Sequence, residues 1–285
     1  MQARRRYSRG VRAVGIHLVQ DARQADAPGR CAVAEITPDN ALSGVRMCRA
    51  DEEIMQAVGH DRALVLVDAP MVVPDVKGRR DAEHVLAWLD IAAFPVTPAR
   101  MQKAYGGARG VALGEALAGA GHVVAEALPD QVLRQLMWEQ DHPPGSAPLG
   151  LAEYRAEWLG IRAAAFRPRG GRARNDGLGP ARALLEGECG LGAWPAPERD
   201  GDLADLDEAA AIDAVACALL ARRCLDGPGD RWALVGNAGA GRIALAACPE
   251  MIERAGINIA RLRDEGTINI TPKVAGAQVG PPQSW

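Results

Sequence analysis

The chain has 285 residues, 48% of them hydrophobic and 24% charged, with 32 glycines and 19 prolines. That mix belongs to a folded chain of one large domain or two small ones, and it excludes a disordered chain, a collagen-like repeat and a coiled coil. A formal net charge of −3 excludes a uniformly basic nucleic-acid coat, so any polyanion site has to be a local patch.

In chain order, the arginine-rich start (Arg4, Arg5, Arg6, Arg9, Arg12) is followed by no apolar run of signal-peptide length. No stretch of about 20 apolar residues occurs either, so the sequence predicts a cytoplasmic protein with no membrane span. Residues 12–19, 30–36 and 43–48 are short, β-branched and separated by turn-rich segments such as Asp26-Ala-Pro-Gly29 and Pro38-Asp-Asn40, the pattern of an antiparallel meander. Residues 51–58 carry Ile54, Met55 and Val58 at helical spacing. The run 63–67 is wholly apolar and ends in Asp68-Ala-Pro70, as a strand buried on both faces in parallel pairing would. Helices are expected at 80–91 and 110–118, a strand at 122–127, and helices at 129–140, where Pro129 suits the first turn, and at 151–166. Residues 168–180 form a Gly/Arg/Pro-rich loop, 206–225 the clearest helix, and 232–235 with 242–246 a last hairpin. Beyond 248 the apolar pattern weakens, so the expected division is a domain over 1–248 and a C-terminal extension over 249–285. This order predicts an α/β fold: a mixed sheet in which an antiparallel three-strand meander is followed by parallel strands, with helices on both faces.

The six cysteines (Cys31, Cys48, Cys189, Cys217, Cys224, Cys248) form no CxxC pair and no zinc-like cluster, and they read as small buried hydrophobes. The acids are more informative. Asp68 and Glu126 each end a strand, and open α/β sheets collect ligands beyond the carboxyl ends of their strands. Asp213 falls at the edge of the stripe Ile212, Val215, Ala216 and Leu219, where a charge is costly unless it is paired or ligated. Converging carboxylates suit magnesium or manganese, and two such ions about 3.5–4 Å apart can clamp the attacking and leaving oxygens of a phosphodiester. Taken singly, each acid also has a plain structural role: Asp81 as a first-turn helix acid, Asp68 as a loop cap, Glu126 in an ion pair with a surface arginine.

The segments Ala63-Leu-Val-Leu-Val-Asp68-Ala-Pro70, Gly78-Arg-Arg-Asp81, Val124-Ala-Glu126-Ala-Leu-Pro129 and Ile212-Asp213-Ala-Val-Ala-Cys-Ala218 occur in that order. Together they resemble the predicted RNase H-like nucleases of bacteria and archaea grouped as domain-of-unknown-function family 429. Tyr154-Arg155 through Gly160 and Arg162 is similar to that family's basic segment, and Ala240-Gly-Arg-Ile243 to its closing turn; the resemblance spans about residues 11–248. It implies an RNase H-like fold and a metal-dependent nuclease in which Asp68, Glu126 and Asp213 form the catalytic, metal-binding acidic site. Arg80 and Asp81 would then stand behind that site, and Arg155 and Arg162 would contact phosphate. The chain departs from the pattern in three places, the first being the loose Arg-to-Asp spacing near Asp81. In Val14-Gly-Ile-His17 a histidine stands where RNase H-like enzymes carry a first-strand aspartate, and Ala240 stands where the family has glutamate. His17 removes one negative charge and so weakens magnesium binding, though a neutral imidazole can ligate manganese or zinc, or act behind the ligands.

Arg155, Arg162, Arg167, Arg169, Arg172 and Arg174 face one acid, Glu157, in a stretch able to hold phosphates or simply to be solvated. The run Gly236-Asn-Ala-Gly-Ala-Gly241 lacks the Lys-Ser/Thr of a phosphate loop and reads as a glycine hairpin. The first expectation is therefore a metal-dependent phosphodiester hydrolase using magnesium or manganese, with nucleic acid as partner and a homo-oligomer as one possible assembly. The alternatives are a non-catalytic nucleic-acid- or protein-binding protein of the same fold, and a nucleotide-binding phosphotransferase of actin-like architecture.

Overall fold

The structure is a computed structural model that describes residues 10–20, 30–74, 78–93, 95–143, 145–161, 177–190, 192, 194–196, 198–226, 229–237, 239 and 241–268. Its elements in order are β1 (Arg12–His17), β2 (Cys31–Ile36), β3 (Leu42–Cys48), α1 (Asp51–Val58), β4 (Ala63–Asp68), α2 (Asp81–Trp88), α3 (Pro98–Tyr105), α4 (Arg109–Gly119), β5 (Val123–Ala127), α5 (Pro129–Asp141), α6 (Leu151–Gly160), α7 (Leu178–Glu188), α8 (Asp202–Asp226), β6 (Trp232–Asn237), β7 (Gly241–Ala246) and α9 (Pro249–Asp264). The strands form one sheet in the order β3-β2-β1-β4-β5-β7-β6. β1, β2 and β3 pair antiparallel; β1, β4, β5 and β7 pair parallel; β6 returns antiparallel to β7. The expected mixed α/β sheet, a meander followed by parallel strands, is the one observed.

Strand alternation divides the core into two layers. Ala13, Ala32, Ala34, Leu64, Leu66, Ala125, Ala127, Ala244 and Ala246 point to one face, where α8 lies with α5 and α7. Val14, Ile16, Val33, Val65 and Val67 point to the other, under α1 and α4. On that same second face Ala233, Val235, Ile243 and Leu245 are covered by α2, α6 and α9. Both faces therefore carry helices, as expected.

Along β1 and β2 the α8 face carries Ala13, Gly15, Ala32 and Ala34, which lets the helix come very close there. A Cβ placed on Gly15 would lie 2.1 Å from the Ala214 carbonyl oxygen and 2.2 Å from the Ala218 amide nitrogen. The α8 backbone thus occupies the space a side chain on β1 would need. Ala214, Ala218 and Ala221 are fully buried along the helix. No helix among the described residues is long and apolar enough to cross a membrane.

Three helices were not expected. α3 buries only Met101, so it has no apolar stripe; its ends carry the signal instead, with the Thr97 side chain accepting from the Arg100 amide, Pro98 in the first turn and Gly106 left-handed at φ 72°. α7 begins inside the stretch expected to be loop, and it buries Leu178, Ala181 and Leu185 at helical spacing. α9 corrects the boundary set at 248. Met251, Ala255, Ile259 and Leu262 lie on one face of it and belong to the second-face core, so 249–264 is part of the packed unit. Charged residues are interspersed among them, such as Glu253, Arg254 and Arg261, which dilutes the stripe in the linear sequence. Residues 269–285, and most of the expected loop at 168–180, lie outside the described residues, and the helix expected over 151–166 is described only to Gly160.

Because the atoms crowding Gly15 are helix backbone, they cannot swing aside. Gly15→Ala is expected to lower unfolding stability by about 2–3 kcal/mol, toward the upper range of overpacking costs, read as the urea midpoint. A midpoint equal to that of the parent would contradict the close contact.

Candidate metal centre

Two adjacent strand ends and one helix build the site. β1 and β4 are parallel neighbours with His17 registered opposite Asp68, the last residue of each strand. His17 shares strand parity with Ala13 and Gly15, and Asp68 with Leu64 and Leu66, so both side chains lie on the α8 face. The contact of Gly15 with the turn 214–218 sets the height and rotation of α8, and that turn begins immediately after Asp213. The three side chains converge: His17 Nδ1 is 3.3 Å from Asp68 Oδ2 and 3.1 Å from Asp213 Oδ2. One ligand atom from each residue lies within 4.8 Å of those of the other two. The Asp213 side chain is 2% exposed, Asp68 14% and His17 23%, so the cluster is closed from the helix side and open at the sheet edge.

The imidazole holds the two carboxylates together. Burial works against a charge on the ring, but hydrogen bonds to Asp213 and Asp68 and their negative charge outweigh it, and the His17 pKa is pushed up to about 10. At neutral pH without a cation, an imidazolium donates from Nδ1 to both aspartates. A divalent cation in the same place would meet one imidazole nitrogen and two carboxylate oxygens. That donor set fits the group: the three atoms converge, two of them carry negative charge, and the nitrogen binds metal once its proton leaves.

Of the residues the sequence singled out, Asp68 and Asp213 are brought together. His17, expected to replace a ligand or stand behind the others, lies between them. Glu126 does not join. It is registered with Val67, one residue short of Asp68, and therefore points to the opposite face. There Arg80 binds it through both terminal nitrogens, at 2.6 and 2.8 Å, and the Met71 amide donates to it at 3.0 Å. Burial pushes the Glu126 carboxyl up against the pull of Arg80. Arg80 also donates from Nε to Glu83 at 2.7 Å and to the Val72 carbonyl at 3.0 Å, while Glu83 accepts from the amides of Arg80 and Val96. This buried Arg80–Glu83–Glu126 network ties α2 to the loop after β4. The expectation that Glu126 is a metal ligand is thus corrected by strand parity and by its pairing with Arg80. Arg80 supports Glu126, not the aspartates.

The remaining candidates are elsewhere. Asp81 opens α2 as a half-buried first-turn acid and is not a member of the cluster. The Arg155 guanidinium is bound to Asp90 at 2.9 and 3.1 Å, and Arg254 shares that carboxylate at 2.6 Å, so the expected phosphate contact is engaged in an ion pair. Arg162 lies outside the described residues. The glycines flank the end of the antiparallel β6–β7 pair: Gly236 and Gly241 have φ of 98° and 92°, and the Gly239 amide donates to Asn237 Oδ1 at 2.9 Å. A Cβ on Gly241 would sit 2.5 Å from Arg80 Nη1 and 3.0 Å from Glu126 Oε1, so this glycine makes room for the ion pair. All six cysteines are buried and free, as their scattered positions suggest.

Two outcomes follow. In the cation-free protein the His17 ring is expected to be protonated at pH 7 and to titrate near pH 10 by ring-nitrogen NMR, with Asp213→Asn lowering that value. Since its pKa rises from 6.5 unfolded to about 10 folded, its stabilisation is complete below about pH 6.5 and is lost as pH rises through about 10. A neutral ring at pH 7 would contradict the convergence. Separately, Arg80→Met is expected to destabilise the fold by about 3–5 kcal/mol, because it leaves two buried carboxylates without their cation, and calorimetric melting checks this. A scan against protein-family models matches none, and searches of curated proteins and of solved structures return no match.

Proposed function

We propose that the protein is a metal-dependent hydrolase acting on phosphodiesters, an RNase H-like nuclease with an altered acidic site. The observation that carries this is the convergence of His17, Asp68 and Asp213 at the carboxyl edge of the two central parallel strands. The sheet order supports the RNase H-like reading, with its antiparallel meander, its parallel strands and the acid-bearing helix packed over the first strand. A divalent cation, when bound, would supply Lewis-acid polarisation of a phosphoryl oxygen and lower the pKa of a water.

The chain's own residues have separable tasks. Asp213, almost wholly buried, supplies a fixed negative charge whose position is set by α8. Asp68, more exposed, faces the open edge from which a phosphate approaches. His17 bridges the two carboxylates and offsets part of their charge until a cation takes the place of its proton. The alanine-lined layer beneath the cluster excludes water from the helix side, which strengthens the attraction between these charges and a cation.

A second reading has its own observation. The imidazolium already balances part of the carboxylate charge, which suits a protein that keeps the fold and binds nucleic acid without cutting it. The test separates the two. RNA, single-stranded DNA, duplex DNA and branched DNA are incubated with the protein and manganese, magnesium, cobalt(II) or zinc, beside Asp68→Ala and Asp213→Ala. The proposal expects cleavage of at least one substrate, reduced by at least about 100-fold in both variants. Binding without cleavage under every condition supports the second reading, and cleavage equal in parent and variants contradicts the site.

A further inference from the structure

We infer that the cluster is a single-cation site that selects a divalent first-row transition cation, of the cobalt or zinc kind, over magnesium, with His17 Nδ1 as a direct ligand. The inference rests on reading the cluster as a cation site, and it names which cation and how many.

The donor atoms decide the class. Magnesium prefers an octahedron of oxygens and gives up its waters reluctantly, so it is held by carboxylates and substrate phosphates. Imidazole nitrogen favours the later transition cations, with affinity rising from manganese toward zinc and copper. Here the nitrogen is central. It lies 3.3 Å from one carboxylate oxygen and 3.1 Å from the other, so no cation can sit between the aspartates without meeting it. Bonds of about 2.0–2.2 Å at angles near 90–110° place neighbouring ligand atoms about 2.8–3.6 Å apart. Both nitrogen–oxygen separations fall inside that range and the ligand atoms all lie within 4.8 Å of one another, so a transition cation can replace the Nδ1 proton by drawing the carboxylates in. The His17 backbone is held in place: its strand is registered against Asp68, and Gly15, two residues earlier, is pressed against α8.

The number of cations follows from where the other acids are. A second ion beside the first needs a further carboxylate on the same face. Glu126 was the candidate, but it faces the other side and is bound to Arg80. Among the described residues no other group of three or more His, Cys, Asp or Glu side chains converges. The paired-ion clamp expected from sequence therefore lacks its second set of ligands among them.

The test uses the full chain stripped with a chelator, titrated with cobalt(II), zinc and magnesium by calorimetry, and with cobalt(II) followed by visible absorption. The expected result is one cobalt(II) per chain, displaced by zinc and not by a thousand-fold excess of magnesium. His17→Ala should weaken cobalt(II) by well over about 100-fold, beyond the roughly 10–100-fold that loss of a group behind a ligand costs. His17→Asp should strengthen magnesium and weaken cobalt(II). His17→Gln, of similar size, guards against a folding defect, and circular dichroism checks every variant. Displacement by magnesium, two cations per chain, or parent-like cobalt(II) binding by His17→Ala overturns the inference while leaving a cation site in place. No binding of any cation to the parent chain overturns both the inference and the hydrolase reading. Selective binding with no phosphodiester cleavage upholds the inference and removes only the hydrolase.

Discussion

The arrangement depends on a helix lying directly on a strand. At Gly15 the sheet has no side chain, and the α8 backbone at 214–218 takes that space. Alanines continue the contact on both surfaces: Ala13, Ala32, Ala34 and Ala125 on the sheet, Ala214, Ala218 and Ala221 on the helix. Each of these buries little apolar area. Their value lies in many short dispersion contacts and in a separation that cannot drift, because close-packed backbones have no flexible ends to rearrange. Asp213 stands one residue before the contact, so its position is inherited from it. With larger side chains on β1 the helix would ride higher, and the hydrogen-bond distance to His17 would be lost.

The two faces of the same strands handle charge differently. On the α8 face, two carboxylates share one imidazole at the open edge. On the other face, Arg80 lies between Glu83 and Glu126, each nearly inaccessible to solvent, and also holds the loop after β4 through the Val72 carbonyl. A guanidinium keeps its proton in proteins, so the Arg80 network is a permanent fixture. An imidazole can exchange its proton for a metal, so the His17 cluster is replaceable by design of its chemistry. The β4–β5 register separates the two systems by a single residue, Val67 beside Glu126.

Much of the fold was legible from local pattern: the three-strand meander, the apolar β4, the α8 stripe and the closing hairpin. The helices that escaped notice did so for physical reasons. α3 holds its place by its caps, α7 hides behind glycine and proline, and α9 carries four core residues among charges. Within the site, Asp68 and Asp213 were legible from their positions, and Glu126 was misplaced by counting strand ends without counting parity. A usable signal was present: Ala125 and Ala127 match the small α8-face residues Ala13 and Gly15 of β1 and Ala32 and Ala34 of β2, and Glu126 sits between the two β5 alanines on the opposite parity. The pairing of Arg80 with Glu126 was not legible, because the two are 46 positions apart and meet only through the sheet.

The most direct measurement is a crystal structure of the protein grown with cobalt or zinc, with the cation located by anomalous scattering. One peak bonded to His17 Nδ1 and to one oxygen each of Asp68 and Asp213 is the predicted result. A peak held by Glu126, or a cluster in which His17 has swung away from the two aspartates, would contradict it.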